Sequence, residues 1–411
     1  MAAKGKRVSR TQQRAARTKQ AASVTLPDHA DVCVVGGGAA GLVAAIAAAE
    51  KGGSVVMLER DMECGRTILA TGNGRCNFAN AQLDPSLYND PSFVSRATGS
   101  RWLDDVLGFF CACGLAWDEE AEGRLYPLSR QASSVRNVLL ARAMRADVTM
   151  APLREVTDVV RAPNGFVVSY RELFGEERSR SFRAANVVVA TGGGVSSACT
   201  GLGLQTKEFV PLLCPLACTG PALDVLDGRR THANVTLVRD GATVMTQAGE
   251  VLFRTYGLSG VVIFNLSRHA QAGDELALDL IPGVPLEKAR RLGAHTLDGL
   301  LDPVVAEALV ATVGSAGQRI DTEDTRMRAV ARAKRLCYTV VDTTEKGRAQ
   351  VSRGGLATSQ FDPATLQARN IPGFFACGEA LDIDGPCGGY NLAWAWKSGL
   401  VCGTAIAGRR S

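Results

Sequence analysis

One stretch of the sequence decides the fold, Asp31-Val-Cys-Val-Val-Gly36-Gly-Gly38-Ala-Ala-Gly41. Its apolar run, residues 32–35, is typical of a parallel strand that is buried on both faces. Gly36 permits a tight turn, and Gly38 lets the backbone approach a phosphate closely. Gly41 lets the following helix pack against the strand. The pattern predicts a strand–turn–helix unit that holds a pyrophosphate at the N-terminus of the helix.

The residues that follow continue this pattern. The alanine-rich segment 39–51 favours a helix, in which Ala39 and Ala40 form the first turn. Residues 54–58 form a second apolar strand, and Glu59 ends it. A carboxylate at that position accepts hydrogen bonds from the hydroxyls of an adenosine ribose and disfavours a 2′-phosphate. A lone Gly-x-Gly-x-x-Gly can be an empty turn, but this complete βαβ unit predicts a dinucleotide site.

A second glycine-rich stretch lies near the other end of the chain, Gly378-Glu379-Ala-Leu-Asp382-Ile-Asp384-Gly-Pro-Cys-Gly388-Gly389-Tyr390-Asn391. It leads into a predicted helix over 391–407, whose N-terminal dipole would suit the pyrimidine end of a flavin. Glu379 follows a predicted strand, where an acid can bind ribityl hydroxyls or cap a loop. The two stretches together predict one bound FAD.

Composition and charge bound the possible functions. Apolar residues make up 46% and charged residues 21% of the 411 residues, the balance of a soluble globular protein with room for two cores. No apolar run approaches about 18 residues, so we expect no membrane span. The twelve cysteines form no Cys-x-x-Cys pair and there are four histidines, so we expect no metal site. Scattered thiols are typical of a reduced, cytoplasmic protein.

The net charge of +5 has its source in the first 30 residues. This segment has one acid, Asp28, and seven basic residues, Lys4, Lys6, Arg7, Arg10, Arg14, Arg17 and Lys19. The remainder of the chain carries 39 basic and 40 acidic side chains. We interpret residues 1–30 as a disordered basic tail whose only nucleic-acid role would be a weak contact.

The fold class expected is α/β, with a discontinuous FAD-binding Rossmann-like domain over 31–204 and 341–411. An apolar strand that ends in Thr191-Gly192-Gly193 is expected to return to the sheet and lie beneath the cofactor. The intervening residues 205–340 predict a nested α+β insert domain, with strands over 205–282 and helices over 283–340. A hairpin with an Asp240-Gly241 turn is the clearest element of this insert.

Three further motifs indicate a family. They are Gly-Arg-x-x-Leu-x-x-Gly-x-Gly-Arg-Cys-Asn (65–77), Gly-Glu-Val-Leu-Phe-x-x-Tyr-Gly-Leu-Ser-Gly (249–260) and the stretch 382–396. With them the chain resembles the BaiN and aminoacetone oxidase-like family of FAD-dependent flavoproteins. The resemblance implies the two-dinucleotide-binding-domain type of flavoprotein, one noncovalent FAD, and redox chemistry on a small organic substrate. The chain departs from the family pattern at Thr67, at Ala79 and after Gly194, at the expected edge of the pocket.

The motifs and this resemblance together predict which residues form the site. The cofactor-binding residues predicted are Gly36, Gly38, Ala39, Ala40, Gly41, Glu59, Arg60, Gly65, Arg66, Asn73, Gly74, Arg75, Cys76, Asn77, Thr191, Gly192, Gly193, Gly378, Glu379, Asp384, Gly388, Gly389, Tyr390 and Asn391. The catalytic candidates are Arg66 and Arg75, whose guanidinium groups can bind a carbonyl oxygen or the reduced flavin, and Tyr390, which can donate a proton. Their alternatives are surface arginines and a packed ring.

The sequence predicts an FAD-dependent oxidoreductase that transfers hydride through flavin N5. No second Gly-x-Gly-x-x-Gly follows a strand. We therefore expect NAD(P)H, if it is the donor, to dock transiently while the flavin reduces an activated C=C bond. The alternatives are an amine oxidase that releases hydrogen peroxide, a flavin-bearing protein that associates with RNA or ribosomes through the basic tail, and a member that has lost its cofactor.

Overall fold

The computed structural model describes residues 9–193, 197–313, 322–344, 349 and 351–407. The chain divides into two compact units, Met1–Val210 with Ser352–Ser411, and Pro211–Val351. The expected α/β class, a Rossmann-type domain with a nested insert, is confirmed. The unit boundaries lie slightly later in the chain than the boundaries expected after residues 204 and 340.

The helices and strands are named here in chain order. The first unit contains α1 (Arg10–Ala22), β1 (His29–Val35), α2 (Ala39–Ala49), β2 (Val55–Leu58), β3 (Ala79–Asn80), α3 (Pro91–Thr98), α4 (Trp102–Ala112), β4 (Trp117–Glu120), β5 (Arg124–Pro127), α5 (Ala132–Arg145), β6 (Thr149–Ala151), β7 (Arg154–Ala162), β8 (Gly165–Glu172), β9 (Arg178–Val189), and, after the insert, β18 (Phe374–Ala376) and α11 (Tyr390–Ala407). The chain leaves this unit within β10 (Thr206–Leu212) and returns within β17 (Val351–Leu356), which pair with each other.

The main sheet of the first unit has the strand order β6-β2-β1-β9-β8-β7, and β18 also pairs with β9. Strands β6, β2, β1, β9 and β18 are parallel, whereas β7, β8 and β9 form an antiparallel meander. All four residues of β2 are buried, as expected for a strand covered on both faces. The parallel strands thus end at one edge of the sheet, which is where doubly wound folds bind ligands.

Helices α2 and α11 pack closely because small residues face each other. A Cβ on Gly399 would lie 2.5 Å from the carbonyl oxygen of Ala40, and one on Gly403 would lie 2.5 Å from that of Ala44. Two helices whose backbones approach this closely leave no space for larger side chains. The packing joins the helix of the first glycine motif to the helix of the last one.

The predicted disorder of residues 1–30 is wrong for residues 10–22, which form α1. The helix begins with a capping box, in which the Ser9 side chain accepts from the Gln12 backbone N–H and the Gln12 side chain accepts from that of Ser9. The buried Arg154 guanidinium donates hydrogen bonds to the carbonyl oxygens of Ala21, at 3.2 Å, and Val24, at 2.7 Å. Composition alone favoured disorder, but a local cap and one distant arginine hold this segment. Residues 1–8 lie outside the described residues.

The second unit is built on a closed barrel with the strand order β11-β14-β13-β12-β15-β16. Its elements are β11 (Leu216–Thr219), α6 (Leu223–Leu226), β12 (Arg230–Arg239), β13 (Ala242–Arg254), β14 (Gly257–Ser259), α7 (Val261–Ser267), β15 (Glu275–Asp279), α8 (Leu286–Gly293), α9 (Pro303–Val313), α10 (Glu323–Lys334) and β16 (Leu336–Thr343). The hairpin predicted at Asp240-Gly241 joins β12 to β13, and both turn residues have positive φ angles, 50° and 78°. Within the described ranges, no helix is both long and apolar enough to cross a bilayer.

Candidate cofactor-binding site

The three glycines of the Gly-x-Gly-x-x-Gly pattern, Gly36, Gly38 and Gly41, have different structural reasons to be glycine. Gly36 has a φ of +102°, and a Cβ there would lie 2.6 Å from the carbonyl oxygen of Ala190. A Cβ on Gly41 would lie 2.0 Å from the carbonyl oxygen of Gly36. A Cβ on Gly38 would meet only Thr67 Oγ1, at 3.6 Å, which is ordinary contact. The fold itself therefore requires glycine at 36 and 41, whereas the space beside Gly38 is left for something other than protein.

The N-terminus of α2 faces this space. Gly38 is its N-cap and makes no side-chain cap hydrogen bond. The backbone N–H groups of the first helical turn, which includes Ala39 and Ala40, point out of the end of the helix. They therefore have no intrahelical acceptors. Together with the positive end of the helix dipole they form an anion site.

Glu59 is fixed at the end of β2, beside the turn. Its Oε2 accepts a hydrogen bond from the backbone N–H of Gly37 at 2.6 Å, and its Oε1 accepts one from that of Asp61 at 2.7 Å. The carboxylate thus lies where the sequence placed the ribose-binding acid and retains lone pairs for hydroxyl donors. The neighbouring Arg60 is exposed.

The loop over 65–77 is tied to the first motif. The backbone N–H of Gly65 donates to the carbonyl oxygen of Gly37 at 2.7 Å. Farther along the loop, Gly72, Asn73 and Gly74 have positive φ angles of 55°, 54° and 82°. A run of residues in the left-handed backbone conformation bends the chain sharply. Two of the three are glycines, which adopt this conformation without steric strain. Cys76, at a φ of 57°, is fully buried, so it packs beneath the loop.

The end of this loop meets the C-terminal motif. A Cβ on Gly389 would lie 2.3 Å from the carbonyl oxygen of Ala79 and 2.9 Å from Asn77 Oδ1. Asn80 Nδ2 donates to the carbonyl oxygen of Gly388 at 2.8 Å. Asn77 Oδ1 is buried and has no hydrogen-bond donor. An orphaned acceptor costs free energy unless a ligand supplies the donor.

A second orphaned polar atom lies beside the phosphate turn. Thr191 Oγ1 is buried and has no hydrogen-bond partner among the described residues, and Thr191 Cα is 3.1 Å from the position of a Cβ on Gly36. Gly192 follows with a φ of +69°. A Cβ on Gly193 would lie 3.7 Å from Glu379 Oε2, so the turn over 191–193 lies against the C-terminal motif.

Glu379 is a carboxylic acid in a poorly solvated position. Burial, and secondarily the negative charge of Asp384, raises the pKa of Glu379 to about 7. The preceding residue is held firmly, because the Gly378 N–H donates to Ser398 Oγ at 2.9 Å and Trp394 Nε1 donates to the Gly378 carbonyl at 3.1 Å. A strongly raised carboxyl pKa is typical of functional sites.

Two predicted cofactor ligands use their side chains to build the loop. Asp384 is fully buried and accepts two hydrogen bonds from the Arg353 guanidinium, at 2.7 and 3.0 Å. Asn391 accepts from the Gly385 N–H at 2.8 Å and donates to the carbonyl oxygens of Gly385 and Pro386. Both side chains thus shape the approach to α11.

The three catalytic candidates lie in different environments. Arg66 is 59% exposed and pairs with Asp61 at 3.2 Å. Arg75 is 43% exposed, its Nη2 lies 2.5 Å from Glu120 Oε1, and its Cζ lies 4.4 Å from the ring centre of Tyr126. The Tyr390 hydroxyl donates to the carbonyl oxygen of Gln82 at 3.2 Å, and burial raises the pKa of Tyr390. Tyr390 therefore fits the alternative of a packed ring with a satisfied hydroxyl better than that of a proton donor.

Sequence reasoning missed a second arginine beside Arg75. The Arg130 guanidinium lies 5.6 Å from the ring centre of Tyr126 and 3.3 Å from Glu120 Oε1, and it also pairs with Asp118 at 2.8 Å. No motif surrounds Arg130, which adopts a φ of +53° in the turn after β5. Only the pairing of β4 with β5 brings Glu120 and Tyr126 to the same place.

Taken together, the described residues fit a dinucleotide with a redox-active ring. The space beside Gly38 and the hydroxyl of Thr191 lie at one part of the site, and the acceptor of Asn77 lies with Gly389 at another. Over the described ranges, no group of three or more His, Cys, Asp or Glu residues could hold a metal ion.

Comparisons with known proteins agree with this geometry. A family model described as HI0933-like protein Rossmann domain matches residues 30–405. The 3-dehydro-bile acid delta(4,6)-reductase of Clostridium scindens is 30% identical, in an alignment that covers 92% of this chain and 98% of that protein. The ribosomal RNA dihydrouridine synthase of Escherichia coli (strain K12) is 28% identical, with coverage of 93% and 99%. The open conformation of a flavocytochrome c3 fumarate reductase has the same fold, with a TM-score of 0.50, 14% identity, and coverage of 96% of this chain and 81% of that one.

Proposed function

Because the chain belongs to the HI0933-like family and is an FAD-dependent oxidoreductase, as the BaiN-like motifs predicted, we propose that it reduces a C=C bond conjugated to a carbonyl group. Bound FAD, once reduced by a hydride donor such as NAD(P)H, would supply the hydride from N5 and return to its oxidised form. The hydride adds to the carbon distal to the carbonyl, a proton adds to the proximal carbon, and the double bond becomes single.

One observation carries this proposal: two relatives that align along almost the whole chain have names that describe the same chemistry. In a 3-dehydro delta(4,6) bile acid the double bonds are conjugated to a ketone. In uridine the C5=C6 bond is conjugated to the C4 carbonyl, and its saturation gives dihydrouridine. The substrates differ in size, but both reactions polarise a carbonyl and add hydride to the conjugated carbon.

We assign the ends of the cofactor from the orphaned atoms. The N-terminus of α2, the space at Gly38 and the hydroxyl donor of Thr191 suit the pyrophosphate, and Glu59 suits the adenosine ribose. Asn77 Oδ1 suits an N–H of the flavin pyrimidine, beside the N-terminus of α11. These roles explain why both polar atoms are buried without protein partners.

Arg75 is the residue that we assign to the substrate carbonyl. Its Glu120 and Tyr126 contacts hold the guanidinium in place, while 43% of the side chain remains exposed for a further hydrogen bond. A cation that donates to the carbonyl oxygen stabilises the negative charge that develops there as hydride arrives. Arg66, which is more exposed, has only one carboxylate contact among the described residues.

Uracil in RNA is the second candidate substrate, and two features favour it. The E. coli relative is named for that reaction, and α1 of this chain is basic. A small enone is the first candidate because the C. scindens relative has the higher identity.

Anaerobic flavin spectroscopy tests the proposal. The purified holoenzyme is titrated with NADH and NADPH, and the reduced enzyme is then mixed with a conjugated steroid ketone or with a uridine-containing RNA. We expect reoxidation of the flavin and a product that has gained two hydrogens. Anaerobic flavin reduction by an amine, release of peroxide once oxygen is admitted, and no reoxidation by either acceptor would establish the amine oxidase alternative instead.

A further inference from the structure

The helix α1 is an addition to the family fold. The family model begins at residue 30, whereas α1 covers Arg10–Ala22. Of its described side chains, only Ala21 is fully buried, so packing against the body stabilises the helix little. A 13-residue helix is marginal in water on its own. Its function therefore has to be sought on its exposed surface.

The charges of α1 are all of one sign. Its sequence contains four basic residues and no acid. Arg14 and Arg17 are three residues apart, which places like charges side by side and destabilises an isolated helix. Arg17 pairs with Glu63 at 2.9 Å, but Arg14 and Lys19 have no carboxylate partner among the described residues. These two cations are available to an anionic ligand.

The helix nevertheless has a fixed position. The buried Arg154 of β7 donates to carbonyl oxygens at the C-terminal end of α1, and its Cζ lies 5.0 Å from the ring centre of Phe174. Phe174 follows β8 and forms the wall opposite α1 in an open groove of about 560 Å³. Arg14, Thr18 and Lys19 line the helical wall. The groove thus combines two unpaired cations and a hydroxyl with an aromatic side chain.

We propose that this groove, between α1 and Phe174, is a docking site for single-stranded RNA. Cations that track the phosphates and an aromatic ring on which a base stacks are the two elements of such sites. An anionic membrane would need large apolar residues on the helix, and α1 offers only alanine, threonine and glutamine between its cations. The inference rests on the second candidate substrate above, because it gives an RNA-modifying enzyme a means to hold its substrate.

Binding is tested on the full-length holoenzyme without an electron donor, so that failure of docking is distinct from failure of reduction. The probe is a fluorescein-labelled single-stranded RNA of about 20 nucleotides, followed by anisotropy across a series of KCl concentrations. Arg14→Gln with Lys19→Gln should weaken binding roughly tenfold and reduce the slope of log K against log salt by roughly 1.4, since each phosphate contact contributes about 0.7. The matched control removes two exposed cations elsewhere, Lys51→Gln with Lys288→Gln, and should change neither quantity.

Phe174→Leu separates stacking from charge. It should weaken binding about fivefold or more, because base–aromatic stacking is worth ~1–3 kcal/mol, and leave the salt slope unchanged. The proposal is overturned if the Arg14/Lys19 variant binds RNA like its control. It is also overturned if phosphatidylglycerol vesicles or an acidic polypeptide are bound as tightly as RNA.

Discussion

Gly389 lies against Asn77 so closely that a Cβ on residue 389 would stand 2.9 Å from Asn77 Oδ1. This contact joins the loop that follows the first βαβ unit to the turn that precedes α11. The Asn77 oxygen is buried and receives no hydrogen bond from any residue that the structure describes. This acceptor therefore lies at a position where the backbone of residue 389 allows no side chain.

Alanine at Gly38 and Gly41 should separate cofactor binding from folding. Gly38→Ala has room in the protein, so the apo protein should keep its melting temperature. It should lose FAD affinity, with overpacking against the pyrophosphate costing about 1–3 kcal/mol. Gly41→Ala should destabilise the apo protein by about 3 kcal/mol or more, because its Cβ overlaps the Gly36 carbonyl. Flavin content and thermal unfolding measure both, and a Gly38→Ala protein with full FAD affinity would contradict the assigned site.

Thr191→Val should lower FAD affinity without cost to the apo protein. The hydroxyl has no partner in the described structure, so its removal breaks no protein hydrogen bond. A hydrogen bond to a charged group is worth about 1.5–3 kcal/mol, which corresponds to about tenfold or more in affinity. Titration of apo protein with FAD gives the dissociation constant. Thr219→Val, in the second unit, is the control, and equal FAD affinity in both variants would exclude Thr191 from the site.

Glu379→Gln should change how apo stability depends on pH. Folding raises the Glu379 pKa from 4.5 to about 7, so the folded state binds more protons than the unfolded state between these values. Wild-type stability should therefore fall as the pH rises from 4.5 to 7, by about 3 kcal/mol at most. The glutamine variant lacks this titration, so its stability relative to wild type should increase across that range and level off above it. The free energies of unfolding of both proteins, measured with urea at pH 5 and pH 8, test this. An equal difference between the two proteins at both pH values would show that Glu379 ionises normally.

Arg75→Ala should slow the reaction more than it weakens FAD binding or stability. Because the side chain is 43% exposed, its ion pair with Glu120 contributes at most about 1 kcal/mol to stability. Loss of a cation at the developing oxyanion should reduce the rate of flavin reoxidation by the enone on the order of 100-fold. Arg101→Ala, which removes another ion-paired surface arginine, is the control for stability. Unchanged single-turnover rates would remove Arg75 from the site.

The local elements were accessible from the sequence because their signals are local. The helix predicted over 39–51 is Ala39–Ala49, since an alanine run and a Gly-Gly stop act within a few residues. Residues 91–112 form two helices, α3 and α4, rather than one, because Gly99 adopts a φ of +63° between them. A single glycine within an apolar pattern does not by itself indicate whether a helix ends there.

The contacts that were missed join residues far apart in the chain. The pairing of Asp384 with Arg353, the cluster that brings Arg130 and Tyr126 to Arg75, and the anchoring of α1 by Arg154 each depend on the tertiary fold. An arginine looks the same in the sequence whether it lies on the surface or holds a buried carboxylate. The motifs could therefore predict a set of cofactor ligands. They could not distinguish the side chains that face the site from the side chains that support its backbone.

The close packing of Gly399 and Gly403 against α2 has a consequence for biosynthesis. The first βαβ unit leaves the ribosome long before α11, the helix that packs against it, is translated. Until then the apolar face of α2 lacks its partner, and the turn at Gly388-Gly389 does not exist. With the site proposed above, a chain truncated before residue 390 should be unable to retain the flavin.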